Sequence, residues 1–393
     1  MKNSPHNPVV SAILKFGIMA AMLVCLPLIS VYLTGIDARR FLEFPPLTRY
    51  VDHPGFSWPA FIAVGVVDLV LLLFLGRMLV YFIRNGGIKV KKKAVAPFPW
   101  WGWIGIVIVI TGWVAAWGRF ERSGAVWQHT FFPLWLGYIL VINALCCRRR
   151  GVCPLNESPL RFGLLFPASA VFWWFFEYLN RYVQNWVYLG VAHFTTAQYI
   201  VFASISFSTV LPAVYSTYHY LISFTVSDEA PFRFRSPKPP EGRWPAVTVL
   251  GISGVGLAFI GVWPNVLFPL LWISPLLIIT SLQSLFREKH IFSDMIDSGN
   301  WKTIVFAPAA ALMCGFFWEM WNYWSFPKWE YAIPFVERFH IFEMPILGYG
   351  GYLPFGLECL VISVIIMERS KKRRNDVRQV QAAVQTAVPG PEM

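Results

Sequence analysis

Apolar residues arrive in long blocks separated by short polar, basic or proline-rich intervals, and neither strict alternation nor a one-sided helical stripe organises the chain. A block of about eighteen residues or more is what a helix needs to cross a hydrocarbon core roughly 30 Å thick at about 1.5 Å per residue. In order, spans are predicted at residues 11–35, 58–83, 100–117, 131–145, 162–179, 197–224, 247–263, 267–285, 304–321 and 342–367. The fold expected is all-α, a polytopic membrane protein of about ten transmembrane helices. The first block has a basic flank in Lys2 and Lys15, but it is long and no small-x-small site closes it, so it reads as an uncleaved helix.

The intervals alternate in charge. Residues 84–93 (R-N-G-G-I-K-V-K-K-K), 148–150, 226–243, 287–290 and 368–374 carry the basic clusters, whereas the intervals between them are poor in Lys and Arg. By the positive-inside rule the basic side is cytosolic, which puts both termini in the cytosol of a cell whose inner membrane holds the protein. The expected division is 1–94, an N-terminal two-helix segment; 95–235 and 236–368, two four-helix repeats; and 369–393, a basic cytosolic tail.

The repeat shows in several places. F-F-P-L-W-L-G-Y-I-L-V-I-N at 131–143 returns as L-F-P-L-L-W-I-S-P-L-L-I-I-T at 267–280, and F-F-E-Y-L-N-R-Y at 175–182 returns as F-W-E-M-W-N-Y-W at 317–324. Glu177 and Glu319 are 142 apart, as are Asn180 and Asn322; W-V-Y at 186–188 answers W-E-Y at 329–331, and V-L-P at 210–212 answers Y-L-P at 352–354. An even number of spans per copy gives both copies one orientation, so their pseudo-two-fold is expected along the membrane normal.

Composition narrows the class further. The chain has 393 residues, 56% hydrophobic and only 14% charged, which excludes a soluble domain. Its net charge of +12 does not signal nucleic acid, because the basic residues flank apolar blocks. The six cysteines lack metal-ligand spacing, so no metal site is expected. No nucleotide loop, dinucleotide fingerprint, nucleophile elbow or H-E-x-x-H occurs.

Candidate chemistry lies in carboxylates inside apolar sequence, where an ionised group is costly unless it has work to do. Glu343 and Glu358 bracket F-E-M-P-I-L-G-Y-G-G-Y-L-P-F-G-L-E at 342–358, whose glycines and prolines loosen a helix and imply a pocket. On an intact helix the two acids would lie about 60° apart in azimuth and roughly 22 Å apart along the axis, lining one path without touching. Glu177 and Glu319 each precede an asparagine by three residues, which puts each pair on one helix face. Aromatics crowd them: Trp173, Trp174, Phe175 and Phe176 before Glu177, and Phe317, Trp318 and Trp321 around Glu319. Such rings form an interfacial belt or stabilise a carbocation made by protonating an alkene. Asp68, mid-span, needs a partner on another helix or a proton.

This order of aromatic, acid, x-x-Asn, distal Trp and Tyr, then a Pro and Glu motif heading the next helix resembles the membrane-integral lycopene cyclases of bacteria, archaea and fungi, built from two similar helical domains. The resemblance covers residues 316–358 and, more faintly, 175–212. Those enzymes carry a Pro-x-Glu-Glu-type motif, whereas this chain reads Phe342-Glu343-Met344-Pro345. The resemblance implies an isoprenoid or carotenoid substrate drawn from the membrane and cofactor-free, acid-initiated cyclisation or isomerisation. The catalytic residues expected are Glu343 as general acid, with Glu319, Glu358 and Glu177; those expected to bind substrate are Asn322, Asn180, Trp318, Trp321, Phe317, Tyr349 and Trp174. The alternative is a proton-coupled transporter or lipid carrier with the same carboxylates at the repeat interface.

Overall fold

The structure, a computed structural model, describes residues 8–84, 96–118, 126–225 and 233–367. The basic interval at 85–95, residues 226–232 of the next basic loop, and the tail from 368 onward, with the charge-rule readings placed on them, lie outside the described residues.

The helices are α1 Pro8–Leu33, α2 Trp58–Arg84, α3 Trp100–Gly118, α4 Phe131–Arg150, α5 Pro154–Glu157, α6 Pro159–Val183, α7 Thr196–Phe207, α8 Val210–Ile222, α9 Trp244–Ala258, α10 Pro264–Leu267, α11 Leu270–Leu285, α12 Ser293–Ser298 and α13 Lys302–Trp324. A 3-10 turn, Ile346–Gly351, leads into α14 at 352–367. Among the described residues eight segments are long and apolar enough to cross a membrane, with α7 and α8 forming one of them and Ile346–Met367 the last. The protein is therefore mostly helical and built to sit in a membrane.

The structure revises the expected spans in two places. The segments read as spans at 247–263 and 267–285 are α9 and α11, helices of 15 and 16 residues. At about 1.5 Å per residue these fall short of a full crossing. Apolar sequence continues through the break, but Gly261 lies so close to Tyr182 and Val31 that a Cβ there would come within 2.6 Å and 2.7 Å of them, and Pro264 starts a new helix. The last span begins at Ile346, not at 342, because residues 340–345 form a hairpin.

An all-helical reading also misses two small sheets. β1 (Trp186–Leu189) pairs antiparallel with β2 (Lys328–Tyr331), and β3 (His340–Ile341) with β4 (Met344–Pro345). They lie at one end of the bundle, the sheet end.

Close packing between helices rests on small residues, as it does where lipid gives no hydrophobic push between them. Gly105 on α3 meets the backbone of Gly137 on α4, and Gly102 faces Ala144. The break between α7 and α8 is filled from α6: Ser169 Oγ donates to the Phe207 carbonyl (2.5 Å) and accepts from the Leu211 N–H (3.0 Å), so backbone freed from helical bonding stays satisfied. At the opposite end, Lys15 of α1, only 4% exposed, is ion-paired with Glu288 just beyond α11, and Ser11 donates to the same carboxylate (2.5 Å).

Candidate functional site at the sheet end

The two E-x-x-N pairs occupy the last turns of α6 and α13. Each asparagine acts on the chain that leaves its helix. Asn180 Nδ2 donates to the Trp186 carbonyl (2.8 Å) while its Oδ1 accepts from the N–H groups of Asn185 (2.8 Å) and Trp186 (3.4 Å). Asn322 Nδ2 donates to the Trp329 carbonyl (2.7 Å) and its Oδ1 accepts from the Trp329 N–H (2.9 Å). A side-chain amide offers the same donor and acceptor as a neighbouring strand, so each asparagine pins the tryptophan that opens the W-x-Y triplet. The two strands then pair with Trp186 opposite Tyr331 and Tyr188 opposite Trp329.

The tyrosines of those triplets reach back to the glutamates. Glu177 Oε1 accepts from Tyr188 OH (2.6 Å), Trp173 Nε1 (2.8 Å) and Trp186 Nε1 (3.1 Å). Glu319 Oε1 accepts from Tyr331 OH (2.7 Å) and Tyr352 OH (2.7 Å), and Trp329 Nε1 donates onward to Tyr331 OH (2.9 Å). Glu177 is 6% exposed and Glu319 fully buried, and Glu319 Oε2 has no hydrogen-bond partner. Among the described residues neither forms an ion pair; their partners are all neutral donors. Burial, reinforced by the carboxylate each faces, pushes the hydroxyls of Tyr188 and Tyr331 well above the usual phenol range, so both remain donors.

Glu343 stands elsewhere. It lies in the turn between β3 and β4, after Phe342 at φ 59°, and accepts from Lys328 Nζ at 2.5 Å. Burial alone would lower the Lys328 pKa, but the adjoining Glu343 and Glu330 carboxylates outweigh it and raise it, so the ammonium stays charged. In this position Glu343 is the acceptor of an ion pair that ties the β3–β4 hairpin to β2. It does not head a helix, and the expectation that it lines a helical path with Glu358 fails with that helix.

Glu358 lies six residues beyond Tyr352 on α14, about 9 Å farther along the axis. Its Oε1 accepts from the Leu276 N–H (2.9 Å), beside Pro275 in α11, and its Oε2 is buried without a partner. The carboxyl borders an apolar cavity of about 20 Å³ walled by Leu23, Phe172, Phe176, Pro275 and Ile279, room for about one water. Asp68 of α2 forms no hydrogen bond or ion pair among the described residues; its carboxyl lies against Gly350, where a Cβ would come within 2.3 Å.

Of the expected substrate-binding residues, Trp318 stands beside a hydrogen-bond partner of Glu319, while Trp321 and Phe317, each two positions from Glu319 on α13, face another side of the helix and join Trp318 through Trp135. Trp318 stacks on Tyr352 (6.0 Å, 21°) and lies 4.9 Å from Trp135, which in turn meets Trp321 at 5.2 Å; Phe317 lies 5.3 Å from Trp321. Tyr349 is nearby, its ring 5.9 Å from Tyr352 and its hydroxyl donating to the Ile341 carbonyl (3.1 Å). Trp174 donates through Nε1 to Ser204 Oγ (3.0 Å) and packs its ring on Phe207, whereas the neighbouring Trp173 turns to Glu177. Both positions lie within one turn on the Glu177 face, and the hydrogen bond each indole makes decides which of them serves the acid.

Residues that the sequence reading passed over carry much of the site: Tyr188, Tyr331, Tyr352, Trp135 and Lys328. The doubled W-x-Y triplet was the available signal for the first two. No three His, Cys, Asp or Glu side chains among the described residues are arranged to hold a metal ion. No protein-family model, curated protein or solved structure matches the chain.

Proposed function

We propose that the protein is a membrane-embedded enzyme acting on an isoprenoid, carotenoid or other long apolar substrate, with Glu319 as the acid that starts a cyclisation or isomerisation. The observation that carries this reading is the Glu319 carboxyl itself: fully buried, two tyrosine hydroxyls on one oxygen, no partner on the other, and tryptophan rings alongside. An acid so placed delivers the Oε2 proton to an alkene carbon. The ring face of Trp318, stacked on Tyr352, stabilises the resulting cation without capturing it, and the tyrosines stabilise the carboxylate left behind. The cation is discharged by returning a proton from a neighbouring carbon. Asn180 and Asn322 position the strands, and Glu343 locks them through Lys328.

We infer as well that 95–235 and 236–368 are tandem copies related by a two-fold near the membrane normal, with both termini on the cytosolic face of the inner membrane. In support, the glutamates and asparagines keep one spacing and equivalent partners, and the β1–β2 register is its own image under exchange of the copies.

A second reading, a proton-coupled transporter or lipid carrier, draws on Glu358 at its water-sized cavity and on Asp68, without a partner among the described residues, beside the 3-10 lead of the last span. Mass spectrometry of lipid extracts from cells with and without the gene separates the two: an enzyme changes which lipid is present, a carrier only where it is. In the cells that show the product, Glu319→Gln keeps an acceptor for both tyrosines yet removes the acid, so turnover should fall at least about a hundredfold with the protein still inserted. Full turnover by that variant would end the acid role.

A further inference from the structure

The sheet end carries a second set of charged groups, one of them buried, that the glutamate site does not use. After α1 the chain forms a 3-10 turn, Ala38–Leu42, that lies across the end of α6, with Phe41 stacked on Tyr182 (4.5 Å, 17°). Arg181, 8% exposed, donates through Nη2 to the Arg40 carbonyl (2.7 Å) and to Glu43 Oε2 (3.2 Å), and its Nε is buried without a partner. Glu43 is further engaged by the hydroxyl of Thr48 (2.7 Å).

Arg40 is the cation left over. Among the described residues its guanidinium meets no carboxylate; it rests 4.9 Å from the ring centroids of both Phe41 and Tyr50, and its Nε too is buried and unbonded. Tyr50 cannot serve as a counter-ion, because its hydroxyl donates to the Arg181 carbonyl and burial pushes its pKa up to about 12. Between this turn and the α9–α10 connection lies a cavity of about 180 Å³, walled by Arg40, Tyr50, Asp52, Tyr182, Gly261 and Pro264. That is room for roughly six waters, far more than a halide needs. Asp52 is the one acid on the wall; its side chain is exposed, where water and salt screen it. The Arg40 guanidinium borders this cavity without a carboxylate among the described residues, and Arg181, outside the wall, keeps one donor unmet, which together form a site that lacks its acceptor.

We propose that this cavity binds a phosphate oxyanion, held by Arg40 with Arg181 behind it. A guanidinium fork matches phosphate geometry, and flanking rings at the end of the bundle are suited to the headgroup level of a membrane. The phosphate is that of an anionic lipid headgroup or free in solution. The site does not depend on the acid reading of Glu319.

The test uses the full chain purified in neutral detergent, with its thermal midpoint followed against added short-chain phosphatidylglycerol, inorganic phosphate and, as a phosphate-free control, diacylglycerol. A ligand of the folded state raises the midpoint with concentration. The expected result is a rise with phosphatidylglycerol and none with diacylglycerol, and at least a tenfold loss of apparent affinity in Arg40→Gln. An equal rise with inorganic phosphate assigns the site to the soluble anion; a rise with the lipid alone assigns it to the headgroup. Glu319→Gln should bind as the unaltered protein does, which keeps this test separate from that of the proposed reaction. Arg40→Lys, which keeps charge but loses the fork, should lie between, and it carries the test if Arg40→Gln does not fold. No rise with either phosphate probe, or unchanged affinity in the Arg40 variants, overturns the proposal.

Discussion

Glu177 and Glu319 hold corresponding places on α6 and α13, and the difference lies four residues before each. Position 173 is tryptophan, whose Nε1 donates to Glu177; position 315 is glycine, and the ring of Tyr352 occupies the space, so close that a Cβ on Gly315 would stand 2.5 Å from it. The first glutamate is served from its own helix and the strand just beyond it. The second takes a donor from α14, and its hydrogen bonding therefore depends on where that helix lies. Where position 173 carries an indole and position 315 carries no side chain, a helix distant in sequence enters the second site.

The sharpest way to break this comparison is to give the second half the first half's arrangement. Gly315→Trp alone drives an indole into the Tyr352 ring and should cost more than the roughly 1–3 kcal/mol of ordinary overpacking, seen as loss of inserted protein or a large fall in thermal midpoint. Combined with Tyr352→Val, which copies Val210, it should regain most of that stability. A double variant no better than the single one would show that the two positions do not exchange roles.

Next in size is the asparagine clasp. Asn180→Ala and Asn322→Ala each leave backbone groups of a strand tryptophan without partners, buried at Trp186 and part-buried at Trp329, so both should lose about 1–3 kcal/mol with Asn180→Ala at the upper end. Midpoints that fall for one and not the other would show that only one half is held this way.

The smallest effect concerns an ion pair with no counterpart in the first half. Lys328 and Glu343 are 19% and 20% exposed at their side chains, and because Gln keeps an acceptor and Lys328 keeps Glu330 at 3.4 Å, Glu343→Gln should cost only about 1–2 kcal/mol and leave turnover within a few-fold. A hundredfold fall in turnover would return Glu343 to the centre of the chemistry.

Much of this was legible because lipid demands whole blocks of apolar residues, and blocks survive reading without a partner sequence. The E-x-x-N pairs were legible because they occur twice at one spacing. The strands were not: four residues rich in Trp and Tyr at a helix end look the same as an aromatic belt. Glu343 was misplaced because F-E-M-P-I-L runs unbroken into the last apolar block, and a hairpin with two residues per strand leaves no periodicity. The partner of Glu358 is a backbone N–H exposed beside Pro275, which a pattern of side chains does not display. Arg40 was overlooked because its significance is a missing acceptor, and only coordinates show what a guanidinium fails to meet.

The pairing of Lys15 with Glu288 has a consequence for how the chain is made. The two residues are 273 positions apart, so at about 5–20 residues per second the ammonium in α1 waits on the order of ten seconds to a minute for its partner to be synthesised. During that interval α1 can rest in the bilayer only with its lysine extended to the headgroups. Its final seat opens when the last third of the protein emerges, so a ribosome stalled before residue 288 should leave the first helix inserted but undocked.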